Sequence, residues 1–560
     1  MDKMRTLSMY NNISDLKNMN QKELQKLSMD IRVLIMKRCS TVGGHLATNL
    51  ANVEMTMMLY RHFNPKNGYI VFDGAHQGYT HKILTDRKDV FLDKNKVGTP
   101  IMATESKYDT VTFGHGGFGA SILCGLARFS DKPCVLFLSD GMLGNGIEYE
   151  GLCQLSTLKK NIVIVVNDNH HAILDNSGGE YKHIGKDFFN VLGFDYIEVK
   201  DGYDLKELDN AYELAFNSKV PIVVHVHTIK GYGYKFSKEN PTKFHYVNTN
   251  FDMIKGDNHY ADAEYLNIMD DYIYNLMQSN DKICAMTVAM PDVGFGKKVQ
   301  SIKDRYYNVG ITEEHAFAEA CGLSLAGKYP IVGTYSTFLQ RMYDGMLNIG
   351  EFNHVNMTIL IHESGIRDNN IYQNGIYDIS MINQMQNVVE LLPTNIYEIC
   401  DMIEYSIAHT GIFVIRIPND VELRKENYQV DKMDRYINIY PYDRNDLYVL
   451  SFGYNEISEQ ISEKYKCNLY YAPSNKLDYN FLNKIKDSKL LITIEDGIIN
   501  GGAGEKISNY LSLNDIKVLN VGLKQYDYFN NPNNKTLGNI YKQNNMDIDS
   551  ISKIIDGVLK

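Results

Sequence analysis

The sequence predicts an α/β protein of three successive α/β domains with mostly parallel sheets. Two observations predict it. At 560 residues the chain is too long for one hydrophobic core and suits roughly three domains. Short apolar runs rich in Val, Ile and Leu alternate along it with longer helical stretches, the rhythm of parallel strands joined by crossover helices.

In chain order, the first segment, residues 1–275, carries strand candidates VLFLSDG at 135–141, NIVIVVNDN at 161–169 and PIVVHVHTIKG at 221–231. Each is a run bounded by turn residues. The polar span TNFDMIKGDNHYADAEY at 249–265 reads as a linker entering a new helix. A second segment, 280–428, places strands near 285–289, 330–333, 357–361 and 411–415. The charged stretch PNDVELRKENYQVDKMDR at 418–435 is the next crossing, and 436–560 holds LYVLSFG, KLLITIED and IKVLNVG as strands of a third unit.

Composition bounds the function. Hydrophobic residues at 44% and charged residues at 22% fit a globular protein. A formal net charge of −11 gives no electrostatic reason to expect nucleic acid or an anionic membrane as partner, and neither is expected. Cys39, Cys124, Cys134, Cys153, Cys284, Cys321, Cys400 and Cys467 form no Cys-x-x-Cys pair, so neither a zinc site nor a disulfide framework is indicated. They suit small buried side chains in a reducing compartment. MDKMRTLSMYNNISDL lacks a signal-peptide core and no run approaches ~18 apolar residues, so the expected location is the cytoplasm.

The stretch at 139–169, SDGMLGNGIEYEGLCQLSTLKKNIVIVVNDN, sets an acidic turn after one strand and an amide 29 residues later, after the next. Both fall at the carboxyl ends of parallel strands, where open α/β sheets bind ligands. In isolation an Asp-Gly followed by an Asn at this distance also fits two plain strand-end turns. The stretch resembles the thiamine diphosphate signature, with Ser139 in place of the usual first glycine. That resemblance implies that Asp140 and Asn169, with His171 beside them, hold a divalent metal on the cofactor's diphosphate. Mg2+, or Ca2+ or Mn2+ in its place, takes hard oxygen ligands of this kind.

Further motifs follow in order. STVGGHLATNLANVEMTMMLYRHFN at 40–64 places His45 after two glycines at the start of an apolar helical pattern, and FDGAHQGYTHKILTDR at 72–87 places His76 in a Gly-containing loop. FGHGGFGASILCGLA at 113–127 puts His115 before a Gly-rich turn that opens a helix, as anion-cradling loops do. YYNVGITEEHAFAEACGLSLAG at 306–327 and YSTFLQRMYDGM at 335–346 complete the set.

Together these motifs closely resemble the 1-deoxy-D-xylulose-5-phosphate synthases of the wider transketolase family, over nearly the whole chain to IEDGIINGGAG at 494–504. The resemblance implies a transketolase-like thiamine diphosphate-binding fold and a homodimer. Its domains would be a diphosphate-binding domain at 1–275, a pyrimidine-binding domain at 280–428 and a C-terminal domain at 436–560. Glu313 matches the glutamate that hydrogen-bonds the cofactor's aminopyrimidine so that this ring can take the thiazolium proton. Glu313 also suits an ordinary first-turn carboxylate beside Glu314, and Phe338, which matches the aromatic stacked on the pyrimidine, also suits a core position. His76, His115, Gly116, Gly117 and Gly141 match cofactor-binding positions. His45, His76 and His245, the last in NPTKFHYV, match histidines around the thiazolium and donor, placed to stabilise an oxyanion or move protons. Tyr335 and Arg341 match residues lining the substrate channel.

The departures concern the acceptor. Where the family carries Asp-Arg-Ala-Gly, the chain reads HESGIRDNNIYQNG at 362–375, which puts Glu363 at the arginine position. Tyr372, Gln373, Asn374 and Gly375 stand in place of a Thr-His-Gln-Gly element, and RIPND leaves Asn419 at the second arginine of Arg-Tyr-Pro-Arg-Gly. Those two arginines are the family's clamp on the phosphate of glyceraldehyde 3-phosphate, and neither glutamate nor asparagine reproduces a bidentate guanidinium. The stretch between Asn169 and Gly193 is also shorter than the family's loop. The expected function is therefore a thiamine diphosphate-dependent transferase. It decarboxylates pyruvate, or another 2-keto donor, and ligates the two-carbon unit to an aldehyde other than glyceraldehyde 3-phosphate. Four alternatives stand beside it: the synthase reaction itself with Arg367 or a lysine replacing the lost charge, transketolase-type ketol transfer, a silent paralogue that binds cofactor or a partner, and a dehydrogenase-complex component that hands its fragment to a lipoyl domain, which synthase-like motifs spanning one chain disfavour. Intact Glu313 and metal ligands argue against silence.

Overall fold

The computed structural model describes residues 5–112, 115–258, 264–367, 373–418, 433–453, 455–524 and 536–560. The chain forms two compact units, one of Met1–Asp262 with Val309–Thr312 and one of Ala263–Asn308 with Glu313–Lys560.

The first unit is built on a five-stranded, wholly parallel sheet in the order Tyr69–Asp73, Cys134–Ser139, Ile162–Asp168, Ile222–His227, Asp195–Val199. Cys134–Ser139 and Ile162–Asp168 are buried at every residue, which is why they read as continuous apolar runs and not as alternating ones. Alternation reappears in the packing. Val135, Phe137, Val163 and Val165 join one core, while Leu136, Leu138, Ile164 and Val166 join the core on the opposite face. The helix Gln21–Val42 supplies much of the first core. Its start is fixed by Asn20, whose side chain accepts from the Glu23 amide at 3.2 Å while Glu23 accepts from the Asn20 amide at 2.8 Å.

The second unit contains two sheets. One has six parallel strands in the order Val388–Leu391, Ile412–Pro418, Met357–Ser364, Tyr329–Tyr335, Ile283–Thr287, Tyr306–Asn308. The other runs Ile437–Tyr440, Asn468–Ala472, Leu447–Phe452, Leu490–Ile498, Lys517–Leu523, parallel except for its antiparallel first pair. The mostly parallel α/β class thus matches the expectation. The edge strand Ile437–Tyr440 and the short strands Tyr306–Asn308 and Val388–Leu391 carry too few apolar residues to stand out in sequence. Among the described residues no helix is long and apolar enough to cross a membrane.

Candidate active site

In the first unit the candidate residues gather on loops at the carboxyl edge of the parallel sheet. His76 lies on the 3-10 turn Ala75–Gln77 just after the strand Tyr69–Asp73. His45 belongs to a two-residue strand paired with Tyr246–Val247, which brings His245 alongside. Ring centroids stand 4.6 Å apart for His45 and His76, 5.1 Å for His45 and His245 and 5.4 Å for His76 and His245. Asn49 ties the two loops together, donating to the carbonyls of His45 and His76 at 2.8 Å each. Gly44 allows the approach. With φ +133, a Cβ there would collide with the Tyr79 hydroxyl.

Burial is the main cause that holds all three histidines neutral. His76 is brought down to about 4, with the Lys230 charge adding, and His45 and His245 lie well below the usual imidazole value. The Nδ1 atoms of His45 and His245 are buried without a hydrogen-bond partner, so polar capacity faces this cluster unused. Lys230, buried and donating to the Ala172 carbonyl, is pushed down to about 8 by burial against the pull of Asp140. Sequence reasoning passed over Lys230, although its place three residues past the strand Ile222–His227 was a usable signal.

Asp140 opens the turn after Cys134–Ser139 and is fully buried. Its Oδ1 accepts from the Gly141 amide at 2.9 Å, and its Oδ2 accepts from the Asn169 amide at 3.1 Å and from Asn176 Nδ2 at 3.0 Å. Burial, then the Asp168 charge, raises its pKa to about 6. Asn176 Oδ1 and Asn169 Nδ2 are buried with no partner. A carboxylate that gains from a positive neighbour, set beside the unused side-chain oxygen of Asn176, fits a hard divalent cation. His171 turns its Nδ1 to Asp175 at 2.8 Å while its amide donates to Asn169 Oδ1 at 3.3 Å. The short loop that follows is anchored here, with the Tyr181 hydroxyl donating to the Gly141 carbonyl at 3.0 Å.

The Gly-rich turn differs from the anion cradle expected of it. The amides of Gly117 and Gly119 donate to the Asp73 carboxylate at 2.6–2.9 Å, and the Ala120 amide donates to Glu148. The helix Gly119–Arg128 therefore receives its negative partner from the protein, and those amides are not available to a ligand's phosphate. A Cβ on Gly116 would run into Met142 and Asp73, which accounts for the glycine by close packing. His115 tilts against Phe118 at 5.6 Å between centroids.

In the second unit Glu313 begins the helix Glu313–Leu325 and is 2% exposed. Burial raises its pKa, opposed by Arg341, whose Nη1 donates to Glu313 Oε2 at 3.3 Å. Arg341, expected along a substrate channel, is thus a partner of Glu313. Tyr335 donates to both Asp292 oxygens at 2.7 Å, and its ring stacks on half-buried Phe338, centroids 5.9 Å apart and planes 5° from parallel. Glu363 has a left-handed φ of 58 and forms an ion pair with Arg367. Gln373 precedes Asn374, whose Oδ1 accepts from the Arg367 amide at 2.8 Å. Arg416 is committed internally, to Asp378 at 2.9 Å and the Asp496 carbonyl at 2.7 Å. Asn419 and Tyr372 lie outside the described residues.

Comparison with known proteins agrees with these motifs. Residues 7–186 match the family profile described as 1-deoxy-D-xylulose-5-phosphate synthase, 125–277 match the transketolase thiamine diphosphate binding domain, and 262–421 match the transketolase pyrimidine binding domain. The chain is 30% identical to the 1-deoxy-D-xylulose-5-phosphate synthase of Clostridium tetani, over 93% of this chain and 94% of that one. It is 30% identical to the synthase of Halothermothrix orenii over 98% and 97%. Among solved structures, transketolase from Campylobacter jejuni aligns over 96% of this chain and 100% of its own at 15% identity, with a TM-score of 0.43. With 30% identity sustained over nearly the full length of both chains, the protein belongs to the 1-deoxy-D-xylulose-5-phosphate synthase family.

Proposed function

We propose that the protein is a thiamine diphosphate-dependent transferase, acting as a homodimer, that decarboxylates pyruvate or a related 2-keto acid and ligates the two-carbon unit to an unphosphorylated aldehyde. Bound thiamine diphosphate supplies the nucleophilic carbon and the sink for the electrons that carbon dioxide leaves behind. The protein's own residues do the rest. Asp140 and Asn169, joined by His171 and Asn176, would hold Mg2+ or a similar ion on the diphosphate in a domain spanning 1–275. Glu313, in a pyrimidine-binding domain spanning 280–428, would share a proton with the ring nitrogen that faces it, and Phe338 would pack on that ring. Residues 436–560 form the C-terminal domain of this reading. His45, His76 and His245 would serve as neutral hydrogen-bonding groups around the donor, because their burial excludes a resident imidazolium at pH 7.

The observation that carries the cofactor reading is Glu313, a carboxyl group 2% exposed at the start of the helix Glu313–Leu325, whose pKa burial raises against the pull of Arg341. The acceptor reading rests on Glu363 and Arg367. Their ion pair presents no net charge where a phosphate dianion needs a positive one. A second reading, synthesis of 1-deoxy-D-xylulose 5-phosphate itself, is favoured by the 30% identity to named synthases and requires Arg367 to leave Glu363. Purified protein with thiamine diphosphate, Mg2+ and pyruvate, assayed for carbon dioxide release with glyceraldehyde and with glyceraldehyde 3-phosphate, separates the two. Release that needs neither aldehyde nor cofactor would overturn both.

A further inference from the structure

A second cluster of ligating side chains lies beside the residues discussed so far. The strands Ile162–Asp168 and Ile222–His227 run parallel, and their register sets Asp168 directly beside His227. After the strand ends, His170 takes a left-handed conformation at φ 66. Its Nδ1 comes back to 3.1 Å from Asp168 Oδ1, and His227 Nδ1 stands 3.5 Å from Asp168 Oδ2. Of the described residues, these three form the group whose ligand atoms all lie within 4.8 Å of one another.

The partners of the cluster define its chemistry. His227 Nε2 lies 3.2 Å from Glu198 Oε1, a hydrogen bond in which the ring must be the donor, since a carboxylate only accepts. In the neutral ring this leaves the lone pair on Nδ1, aimed at the Asp168 carboxylate. A cation, either a proton on Nδ1 or a metal ion, then stands between the two. Asp168 is itself oriented by His225, whose Nε2 donates to Oδ2 at 2.8 Å while its Nδ1 meets the Tyr196 hydroxyl at 2.9 Å. Outer hydrogen bonds of this kind are what fix the ligands of metal sites.

We propose that Asp168, His170 and His227 bind a divalent transition-metal ion of the Zn2+ class, apart from the hard-cation site of Asp140 and Asn169. Both oxygens of Asp168 take part, Oδ1 at 3.1 Å from His170 Nδ1 and Oδ2 at 3.5 Å from His227 Nδ1, so one ion meets both imidazoles with the carboxylate bidentate or slightly turned. His170 has a side chain 75% exposed and closes the third edge by rotation, leaving a fourth position for water. Two imidazoles and one carboxylate favour Zn2+ or Co2+ over Mg2+. The sequence alternates the two sets, Asp168 and His170 against Asn169 and His171, so an ion here pins the turn that carries Asn169.

The test uses the full-length protein, stripped with chelator, reloaded with thiamine diphosphate and excess Mg2+, and titrated with Co2+. The expected result is one equivalent bound with the intense visible absorption of a four-coordinate nitrogen-oxygen site. His170→Ala and His227→Ala should each weaken that binding at least tenfold. Because His170 is exposed, its variant reads metal affinity without a core change, and unaltered circular dichroism in both variants separates lost ligation from lost folding. No Co2+ uptake at about 100 µM, or absorption that persists unchanged in both variants, overturns the site.

Discussion

Glu363→Gln removes one charge and keeps the side chain's shape, so it isolates what the Glu363–Arg367 pair does to an acceptor. In the folded chain the two side chains are 23% and 29% exposed. A unit charge about 4 Å from a phosphate oxygen interacts by roughly 4 kcal/mol at an effective dielectric of about 20, and by about 1 kcal/mol in bulk water. Partial exposure places the pair nearer the aqueous limit, on the order of 1–2 kcal/mol. Removing Glu363 takes away a repulsion and releases Arg367, so both changes favour a phosphorylated aldehyde. The ratio of kcat/KM for glyceraldehyde 3-phosphate over glyceraldehyde should rise about 5- to 30-fold. Pyruvate-dependent carbon dioxide release with each acceptor measures it, at low and at raised ionic strength, where the gain should shrink. Arg367→Gln is the control and should leave the ratio unimproved. The pair Glu363→Arg with Asn419→Arg should move it further toward the phosphorylated acceptor. A ratio unchanged in Glu363→Gln, or a wild-type enzyme that already prefers glyceraldehyde 3-phosphate, would refute the reasoning and leave Arg367 acting as a phosphate ligand.

Glu313→Gln should keep cofactor binding and lose roughly 10²–10⁴-fold in turnover, the range of a general acid-base group; wild-type turnover would remove Glu313 from that role. Asp140→Ala should weaken Mg2+-dependent binding of thiamine diphosphate by calorimetry, and an unchanged dissociation constant would contradict its place as a ligand. Lys230 is held near 8 when folded, against about 10.4 in an unfolded chain, so between those values the unfolded state binds the extra proton and stability without cofactor rises with pH. The gain is about 3 kcal/mol at most. The midpoint of thermal unfolding should therefore climb less in Lys230→Met than in wild type from pH 8 to 10; buried Lys82, also near 8, contributes equally to both, and coincident curves would count against the assignment. Gly44→Ala should lower both thermal stability and activity, since φ +133 and the Tyr79 hydroxyl leave no room for a Cβ beside His45; a variant of wild-type activity would mean the loop adjusts freely.

What was legible in the sequence was whatever depends on neighbours along the chain. The strands ending at Ser139 and Asp168 announce themselves because both are buried on both faces, and the turn residues after them fix Asp140 and Asn169 at the sheet edge. The histidines were visible one by one through their glycines. Their convergence was not, because His45 and His245 meet through a two-residue antiparallel pairing across 200 residues. The Gly-rich turn was misjudged for a related reason. A helix start that invites an anion looks the same in sequence whether a ligand or a distant Asp73 answers it.

Pairings between side chains mark the limit more sharply. Arg341 and Glu313 are 28 positions apart on two helices, and no periodicity within either helix places one beside the other. Glu363 and Arg367 stand four apart, the spacing of a helical ion pair, yet the segment is a strand end with a left-handed Glu363 and the contact comes from a turn. Asp168 and His227 depend on the register of two parallel strands, which sequence leaves open because both strands are apolar runs with no alternation to lock their phase. The family's cofactor chemistry is written in motifs that one strand and one turn suffice to build. The proposed acceptor choice and second metal rest on register and on turns, so mutation of Glu363, Arg367, His170 and His227 tests this chain where the family resemblance gives no guidance.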